Sequence, residues 1–400
     1  MTRATALAAA VVHFAGALKS TPLLAGLPFD LTLVAALGLV GPLVLVVAGR
    51  RWMVGPGLAV PLAACGGLWL WMVLAGVWSP SSVVLGAKLP EAVLLGPAML
   101  AAGMVVGGDA EGLRRFAWAC LALGVFVAAS VVWGVATDAV VFGGLLQGNP
   151  DQVRVQYQIA GLAMASAGGL AAVRAVESRG ALAALGWLIV VGALGAAALV
   201  PGGRLALLAF GMTVAAAPMV VLWRQQAVLA FFWPLLALAA GGAALAALLA
   251  DPSGAEGLRT IERFTEGGVG EQSGRLPLWR AALGWAGAAA PLGLGSGGFT
   301  IAAGFGERRG MYPHNHALEA LAELGLPGFA LWLLAFGGGA VAALRLGARV
   351  APWRAARVAA LVLPMALSVM VSTDLGNRMA WFALGLALSL GLEARAVRHV

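Results

Sequence analysis

Apolar stretches of similar length follow one another along almost the whole chain, separated by short polar breaks. Each is close to the roughly 20 residues that a helix needs to cross a hydrocarbon core of about 30 Å. A membrane-spanning segment must satisfy its own backbone hydrogen bonds, so we interpret each stretch as a helix. The pattern predicts an all-α polytopic integral membrane protein with about 12 spans, at 5–27, 31–49, 57–77, 84–106, 115–136, 157–176, 181–200, 203–222, 227–250, 318–343, 355–373 and 379–394.

One polar interval is much longer than the others, and it divides the chain into three parts. We predict about nine helices in residues 1–250, a large loop at 251–317 that carries catalytic residues, and about three helices in 318–400. The loop is short and rich in glycine, so we do not expect it to fold as an independent domain.

The charged residues give an orientation. The chain is 61% hydrophobic and 10% charged, with a formal net charge of +8. With a cytoplasmic N-terminus, the positive-inside rule places both termini inside and the 251–317 loop outside, which is the periplasm if the cell is Gram-negative. This distribution of arginines explains the positive net charge, so no nucleic-acid partner is needed to account for it. The inner side then holds Arg3, Arg50, Arg51, Arg114, Arg115, Arg174, Arg179, Arg224, Arg345, Arg349, Arg354, Arg357, Arg395 and Arg398.

Two of the four histidines of the chain, His314 and His316, lie within three residues at the end of the long loop. Histidine changes charge nearest neutral pH, which suits it to accept a proton from a hydroxyl nucleophile. Asn315 lies between them, and Glu319 and Glu323 share a helical face with His316, so either carboxylate could orient a histidine. A polar turn that caps a helix at the membrane surface explains the same residues equally well.

Three arginines are candidates for binding phosphate. Arg204 follows two glycines at the start of an apolar run, where an arginine is costly unless it faces a polar cavity or a partner; snorkelling to the headgroups is the alternative. Arg275 and Arg280 lie in the loop sequence SGRLPLWRAAL. The planar guanidinium can donate two hydrogen bonds to phosphate oxygens at once. A solvated loop charge is the alternative, and it applies most to Arg280.

Amides and a carboxylate at Asn149, Asp151 and Gln152 could bind sugar hydroxyls, although a turn followed by a helix cap fits them equally well. No P-loop, dinucleotide fingerprint or metal-ligand spacing occurs in the sequence. We therefore expect no cofactor and no metal, and a group transfer that needs neither. Cys65 and Cys120 fall within apolar runs and are interpreted as core residues.

The histidine stretch resembles the O-antigen ligase and polymerase family of membrane glycosyltransferases, most closely the lipid A–core O-antigen ligases. The ligase pattern is satisfied by His314 and Asn315, nine residues, Gly325, two residues and Gly328. Three further pieces resemble the family in the same order: GNPDQ, GGRLAL and SGRLPLWRAAL. The resemblance covers about residues 140–330, and it departs from the family at Asp151, where a second asparagine is common.

The resemblance implies a GT-C-like glycosyltransferase of the inner membrane that is active on its periplasmic side. The donor would be a glycan on undecaprenyl diphosphate, and the acceptor would be a sugar hydroxyl of lipid A–core. Arg204, Arg275 and Arg280 would hold the diphosphate, and His314 would accept the proton of the attacking hydroxyl, with inversion. A polymerase that acts on lipid-linked repeats is the alternative within the family. A polysaccharide transporter or flippase is the alternative from another class, although related halves are not visible in the sequence.

Overall fold

The computed structural model describes residues 1–142, 152–250, 258–261 and 274–396, and these residues are mostly helical. The helices are α1 (Arg3–His13), α2 (Ala15–Lys19), α3 (Pro22–Ala25), α4 (Leu31–Ala48), α5 (Ala59–Ala75), α6 (Ser82–Pro90), α7 (Gly96–Gly108), α8 (Ala110–Ala136), α9 (Tyr157–Glu177), α10 (Ala181–Leu199), α11 (Arg204–Gln225), α12 (Ala227–Ala250), α13 (Arg275–Ala288), α14 (Phe299–Ala302), α15 (His316–Trp332), α16 (Gly338–Gly347), α17 (Pro352–Val371) and α18 (Arg378–Leu388). Tighter 3-10 turns lie at Pro56–Leu58, Gly76–Trp78 and Ser389–Gly391, and wider π turns lie at Glu91–Leu95 and Leu333–Gly337.

Two short strand pairs complete the described part of the chain. Strand β1 (Arg50–Val54) pairs antiparallel with β4 (Leu392–Ala396), so the end of the described chain is fastened to the connection between α4 and α5. Strands β2 (Val140–Phe142) and β3 (Val153–Val155) pair in parallel beside the start of α9.

Within the described residues, 10 helical segments are long and apolar enough to cross a membrane: Leu31–Ala48, Pro56–Trp78, Ser82–Gly108, Ala110–Ala136, Tyr157–Glu177, Ala181–Leu199, Arg204–Gln225, Ala227–Ala250, His316–Gly347 and Pro352–Val371. The protein is therefore a polytopic membrane protein, and the helices at 181–200 and 203–222 are separate, as the sequence predicted. The structure differs from the prediction of about 12 spans at both ends of the chain.

At the N-terminal end, the predicted span 5–27 is broken into α1, α2 and α3. The hydroxyls of Ser20 and Thr21 donate to carbonyl oxygens at the end of α2, and Pro22 begins α3, where its missing N–H is tolerated. At the other end, the predicted span 379–394 stops being helical at Gly391 because the chain turns into β4. Neither segment forms one helix of membrane length.

One end of the helix bundle is rich in arginine. Arg354 donates to the carbonyl oxygens of Gly107 and Leu392 at 3.1 and 2.9 Å. Arg357 forms an ion pair with Glu177 at 2.7 Å. These bonds join the ends of α7, α9 and α17 near the β1–β4 pair. We call this end the basic face.

The opposite end holds the histidine stretch, residues 311–316, and we call it the histidine face. The segment between α13 and α14 lies over the α5–α6 connection there: Trp78 donates to the carbonyl of Gly293 at 3.3 Å, and Ser79 donates to that of Ser296 at 2.7 Å. Part of the predicted large loop is thus packed onto the helices, while the proposed division into three domains stays a prediction.

Candidate functional site

The loop that carries the histidines is held on two sides. The indole of Trp279 in α13 donates to the carbonyl of Pro313 at 2.8 Å. Asn315 caps α15 by accepting from the N–H of Leu318 at 3.1 Å, and its amide donates to the carbonyl of Met370 in α17 at 2.7 Å. The helix cap predicted from sequence is present, and it fixes the chain on either side of His314.

His314 has a left-handed backbone, with φ of 54°. This conformation is uncommon for residues other than glycine and often marks a functional site. It places the half-buried imidazole against the Tyr312 ring, with centroids 4.1 Å apart, and beside the backbone of Ser372. Burial, followed by the positive charge of Arg275, lowers the pKa of His314 below its ordinary value. The imidazole is therefore mainly neutral near pH 7 and able to accept a proton.

Arg275 begins α13, directly after Gly274 at φ of 58°. The helix is positioned by Leu278 and Ala282, which are buried against Phe299. This packing holds Arg275 at the histidine face rather than leaving it in free solution.

Ser372, at the end of α17, connects the parts of the site. Its hydroxyl lies 3.5 Å from Nη2 of Arg275 and donates to the side-chain oxygen of Gln158 in α9. Its carbonyl accepts from the Tyr312 hydroxyl at 3.4 Å. One residue therefore contacts α9, α13 and the histidine loop, and it brings Arg275 close to His314. We call Gln158, Arg275, Tyr312, His314 and Ser372 the His314 cluster.

Arg204 is the first residue of α11, and its Nη1 is buried with no hydrogen-bond partner among the described residues. The preceding Gly203 lies in ordinary contact with Tyr157: a Cβ there would lie 3.5 Å from the Tyr157 carbonyl oxygen. Arg204 thus lies beside the first turn of α9, whose next residue, Gln158, contacts Ser372. Arg280 is exposed on α13 and is not brought into the cluster.

His316 differs sharply from His314, because its ring is fully buried. Its Nε2 lies 2.9 Å from the Thr373 hydroxyl, and its ring meets Phe336 edge-on at 5.5 Å. The imidazole therefore lies between its own helix, α15, and the segment after α17. This buried position suits a supporting role.

Among the described residues, neither Glu319 nor Glu323 forms a hydrogen bond or ion pair with a histidine; their partners lie elsewhere. Both are buried and form ion pairs with Lys88 of α6. Glu319 also accepts from the N–H of Leu375 at 3.0 Å, and Glu323 accepts from that of Gly297 at 2.7 Å. The two carboxylates therefore fasten α15 to its neighbours.

The candidate sugar-binding residues are only partly described. Asn149 and Asp151 lie outside the described residues. Gln152 donates to the backbone and side-chain oxygens of Asp138 at 3.2 and 3.3 Å. Within the described part of the chain, Gln152 makes no contact with the His314 cluster.

Sequence reasoning missed Lys88, Gln158 and Ser372 as parts of this region. Lys88 carried a usable signal, because a lysine inside an apolar segment is costly and needs a partner. Ser372 and Gln158 are common polar residues at the ends of helices, and no local pattern distinguishes them.

The comparisons with known proteins bear on this part of the chain. Residues 162–333 match the model of the family described as O-Antigen ligase. Among curated proteins, none matches the chain. The matched range includes Arg204, Arg275, His314 and Gly325, whereas Lys88 and Ser372 lie outside it. Residues 162–333 of this polytopic membrane protein thus match the O-antigen ligase family.

Proposed function

We propose that the protein is a membrane glycosyltransferase that moves a glycan from undecaprenyl diphosphate to a sugar hydroxyl of lipid A–core. The observation that carries this proposal is the pairing of a half-buried His314 with Arg275 across Ser372. A neutral imidazole beside a fixed guanidinium supplies a proton acceptor for the nucleophile and a cation for the leaving group. The match to the O-antigen ligase family supports glycan transfer in general.

In the proposed reaction, His314 takes the proton of the acceptor hydroxyl while its oxygen forms a bond to the anomeric carbon. The bond between that carbon and the diphosphate breaks, and the electron pair leaves with the diphosphate. Attack from the opposite face inverts the anomeric centre. Arg275 donates to the diphosphate oxygens as their negative charge grows.

Arg204 is the second cation that we assign to the diphosphate. Its Nη1 is buried and has no partner within the described residues, so a phosphate oxygen would supply the missing acceptor. The N-terminus of α11, where it lies, adds free backbone N–H groups. Arg280 is exposed, so we assign it at most a peripheral contact with the donor.

The proposal includes a location. The arginine-rich loops gather at the basic face, and the positive-inside rule then puts the histidine face in the periplasm. A GT-C-like arrangement, with catalytic residues on a large periplasmic loop above the helices, belongs to the same proposal. Undecaprenyl diphosphate and its glycan would reach the His314 cluster from the outer leaflet of the inner membrane.

The deciding experiment is transfer by purified protein in liposomes, with undecaprenyl diphosphate-linked glycan as the donor. Lipid A–core and a second lipid-linked glycan are supplied in separate reactions, because a polymerase would use the second. His314→Ala should lower the rate about 10²- to 10⁴-fold, the usual contribution of a general base. His316→Ala is the matched control, and it should keep a measurable fraction of the activity.

Full activity of His314→Ala, or loss confined to His316→Ala, would refute the assignment of the base. If His314→Ala failed to accumulate in the membrane, a purely structural role in the α15 cap would explain the histidine stretch. No transfer to either acceptor by the wild-type protein would refute the proposed reaction.

The arginines are tested in the same assay. Arg204→Lys and Arg275→Lys keep the charge and lose the planar fork, so both should weaken use of the donor. Arg204→Ala and Arg275→Ala should reduce transfer further, whereas Arg280→Ala should be mild. Full activity of Arg204→Ala would mean that its guanidinium only reaches toward the headgroups.

A further inference from the structure

Arginine and tryptophan side chains meet at the basic face, near the ends of α8, α9, α10 and α17. Arg174 of α9 lies over the rings of Trp118 in α8 and Trp187 in α10, at 5.2 and 6.0 Å from their centroids. The two rings are themselves 5.8 Å apart. A cation held over an aromatic face is attracted to it, and the N–H groups at the edge of its plane stay available to acceptors.

The second half of this assembly is built on Trp353, at the start of α17. Arg114 of α8 and Arg357 of α17 both lie over this ring, at 5.6 and 5.2 Å from its centroid. Glu177, the last residue of α9, connects the two halves, because it pairs with Arg174 at 3.2 Å and with Arg357 at 2.7 Å. We call Arg114, Arg174, Arg357, Glu177 and the three tryptophans the arginine–tryptophan cluster.

The cluster has a buried base and an open edge. Arg357 donates from both Nη atoms to both carboxylate oxygens of Glu177, at 3.0 and 2.7 Å, and both side chains are largely buried. The side chains of Arg174 and Arg114, in contrast, are 37% and 57% exposed. The base therefore holds the helices together, while Arg174 and Arg114 present their charges outward.

The positive charge of the cluster exceeds the negative charge around it. Glu177 is shared between two arginines, and Glu111 is likewise shared between Arg114 and Arg115, at 3.5 and 3.0 Å. Four arginines thus share two carboxylates within the described residues. The charges of Arg114 and Arg174 both act on Arg357. An added anion would relieve this repulsion between like charges.

Arg174 also has an unused donor. Its Nη1 donates to Glu177, whereas its Nε is buried and has no acceptor in the part of the chain that the structure describes. A buried N–H group usually has an acceptor, and a phosphate oxygen would supply one here. Arginine suits this role because its planar fork can donate to two oxygens of one phosphate.

The position of the cluster favours a lipid over a soluble anion. Trp118 is 45% exposed, and α10, which carries Trp187, is mostly exposed along its length. Leu185 and Ile189 are among the exposed apolar residues of α10. Trp187 lies six residues into α10, about 9 Å from its start, where a tryptophan reaches the headgroup level. A phosphate at Arg174 would therefore have a lipid-facing apolar helix directly beside it.

We infer that the arginine–tryptophan cluster binds the phosphate of an anionic phospholipid, such as phosphatidylglycerol, whose acyl chains lie along α8 and α10. Arg174 and Arg114 are the residues that donate to the phosphate oxygens. The proposed topology puts this face at the cytoplasmic leaflet, and basic pockets between helices on that side bind anionic headgroups. The site lies at the opposite end of the bundle from His314, so the inference does not depend on the proposed function.

Thermal unfolding in nanodiscs of defined lipid tests the site. The full chain is unfolded in discs of phosphatidylcholine with and without phosphatidylglycerol. A ligand of the folded state raises the unfolding temperature, so phosphatidylglycerol should stabilise the wild type. Arg174→Gln should lose most of that gain, although Glu177 keeps its pair with Arg357. The matched control is Arg345→Gln, which removes an exposed charge of the same face outside the cluster and should keep the gain.

Native mass spectrometry measures the lipid directly. The protein in detergent micelles is titrated with phosphatidylglycerol, and Arg174→Gln should raise the Kd of the first bound lipid roughly tenfold, the effect of losing one charge-assisted hydrogen bond. Arg174→Lys keeps the charge but loses the planar fork and the Nε–H group, so it should also raise this Kd. Arg345→Lys should leave it unchanged.

Several outcomes would overturn the inference. Equal losses of the gain in Arg174→Gln and Arg345→Gln would mean that the lipid responds only to the net charge of this face. A loss of stability in Arg174→Gln that is the same in both kinds of disc would mean that the cluster only joins helices. Inorganic phosphate that stabilises the wild type in phosphatidylcholine discs as much as phosphatidylglycerol does would identify a soluble anion in place of a lipid. A wild type that phosphatidylglycerol does not stabilise would refute the site altogether.

Discussion

Lys88 should matter greatly for stability, because it is the only cation paired with the buried carboxylates of Glu319 and Glu323 in the described part of the chain. Its side chain is 6% exposed, and those of Glu319 and Glu323 are 0% and 2% exposed. Glu319 also accepts from the N–H of Leu375, and Glu323 from that of Gly297. The ion pairs therefore join α6 to α15, and the backbone hydrogen bonds join α15 to Gly297 and Leu375.

Replacing the lysine by methionine keeps the length of the side chain and removes the charge. Removing one partner of a buried ion pair typically destabilises a protein by about 3–5 kcal/mol, because the other charge is left without compensation. Two carboxylates would be stranded by Lys88→Met, so we expect a loss at the upper end of that range. A buried ion pair need not itself be stabilising. The loss of stability in Lys88→Met therefore measures the cost of leaving buried carboxylates without a cation, and not the contribution of the ion pairs.

The matched variant combines Lys88→Met with Glu319→Gln and Glu323→Gln. The amides carry no charge, and their oxygens can still accept from Leu375 and Gly297. The triple variant should therefore recover more than half of the stability lost in the single variant. Free energies of unfolding would be measured by titrating each purified protein with SDS in the same mixed micelles. A single variant as stable as the wild type, or a triple variant less stable than the single one, would refute this reasoning.

Three other predictions follow from the site and the topology. Because the pKa of His314 lies below the ordinary histidine value of about 6.5, its imidazole stays neutral to a lower pH, and activity should fall only below that ordinary value. Arg275→Gln removes one of the two charges or environments that lower this pKa, so it should move the fall in activity to higher pH. A cysteine at the exposed Arg308 should react with an impermeant thiol reagent from the periplasm, and one at Arg114 should not; the reverse pattern would invert the topology. Transfer should survive EDTA, since the sequence has no metal-ligand spacing, and loss that a divalent ion restores would contradict this.

Hydropathy predicted most of the fold because a span must be apolar over a length that the bilayer fixes. It could not predict the break of the first segment between α1 and α3. Ser20, Thr21 and Pro22 are compatible with a helix end, yet membrane helices often tolerate such residues. It also could not predict β4, because the pairing with β1 joins residues more than three hundred positions apart.

The sequence could predict only those residues of the candidate site whose own type and local motif indicate a chemical role. His314 and Arg275 were found from their own types and from a family pattern, and the structure brings them together through Ser372. The partner of Glu323, in contrast, is Lys88, which is 235 residues away in the sequence. Helical spacing correctly placed Glu319 and Glu323 on one face, but spacing cannot tell which neighbour that face meets.

The family pattern requires a glycine at position 325, and the break of α15 at this residue gives a physical reason for that requirement. Its backbone lies at φ 66° and ψ −162°, a region that only glycine occupies readily. The break frees three carbonyls, of residues 322, 323 and 324, which accept from the N–H groups of residues 294 and 295 and the indole of Trp71. A Cβ at Gly325 would also lie 2.1 Å from the carbonyl oxygen of Pro291, which is backbone and cannot move aside easily.

Gly325→Ala and Gly304→Ala separate these two effects. Gly304 also has a positive φ, 79°, but a Cβ there would meet nothing within 4 Å. Gly304→Ala should therefore lose only the conformational term, about 1–2 kcal/mol, and should still fold. Gly325→Ala adds a clash with the backbone that holds the 291–295 segment on α15, so we expect it to lose most of the folded protein in the membrane. Equal yields and equal SDS unfolding of the two variants would show that the contact between residues 291–295 and α15 tolerates a Cβ. Gly325 would then be required only for its backbone conformation.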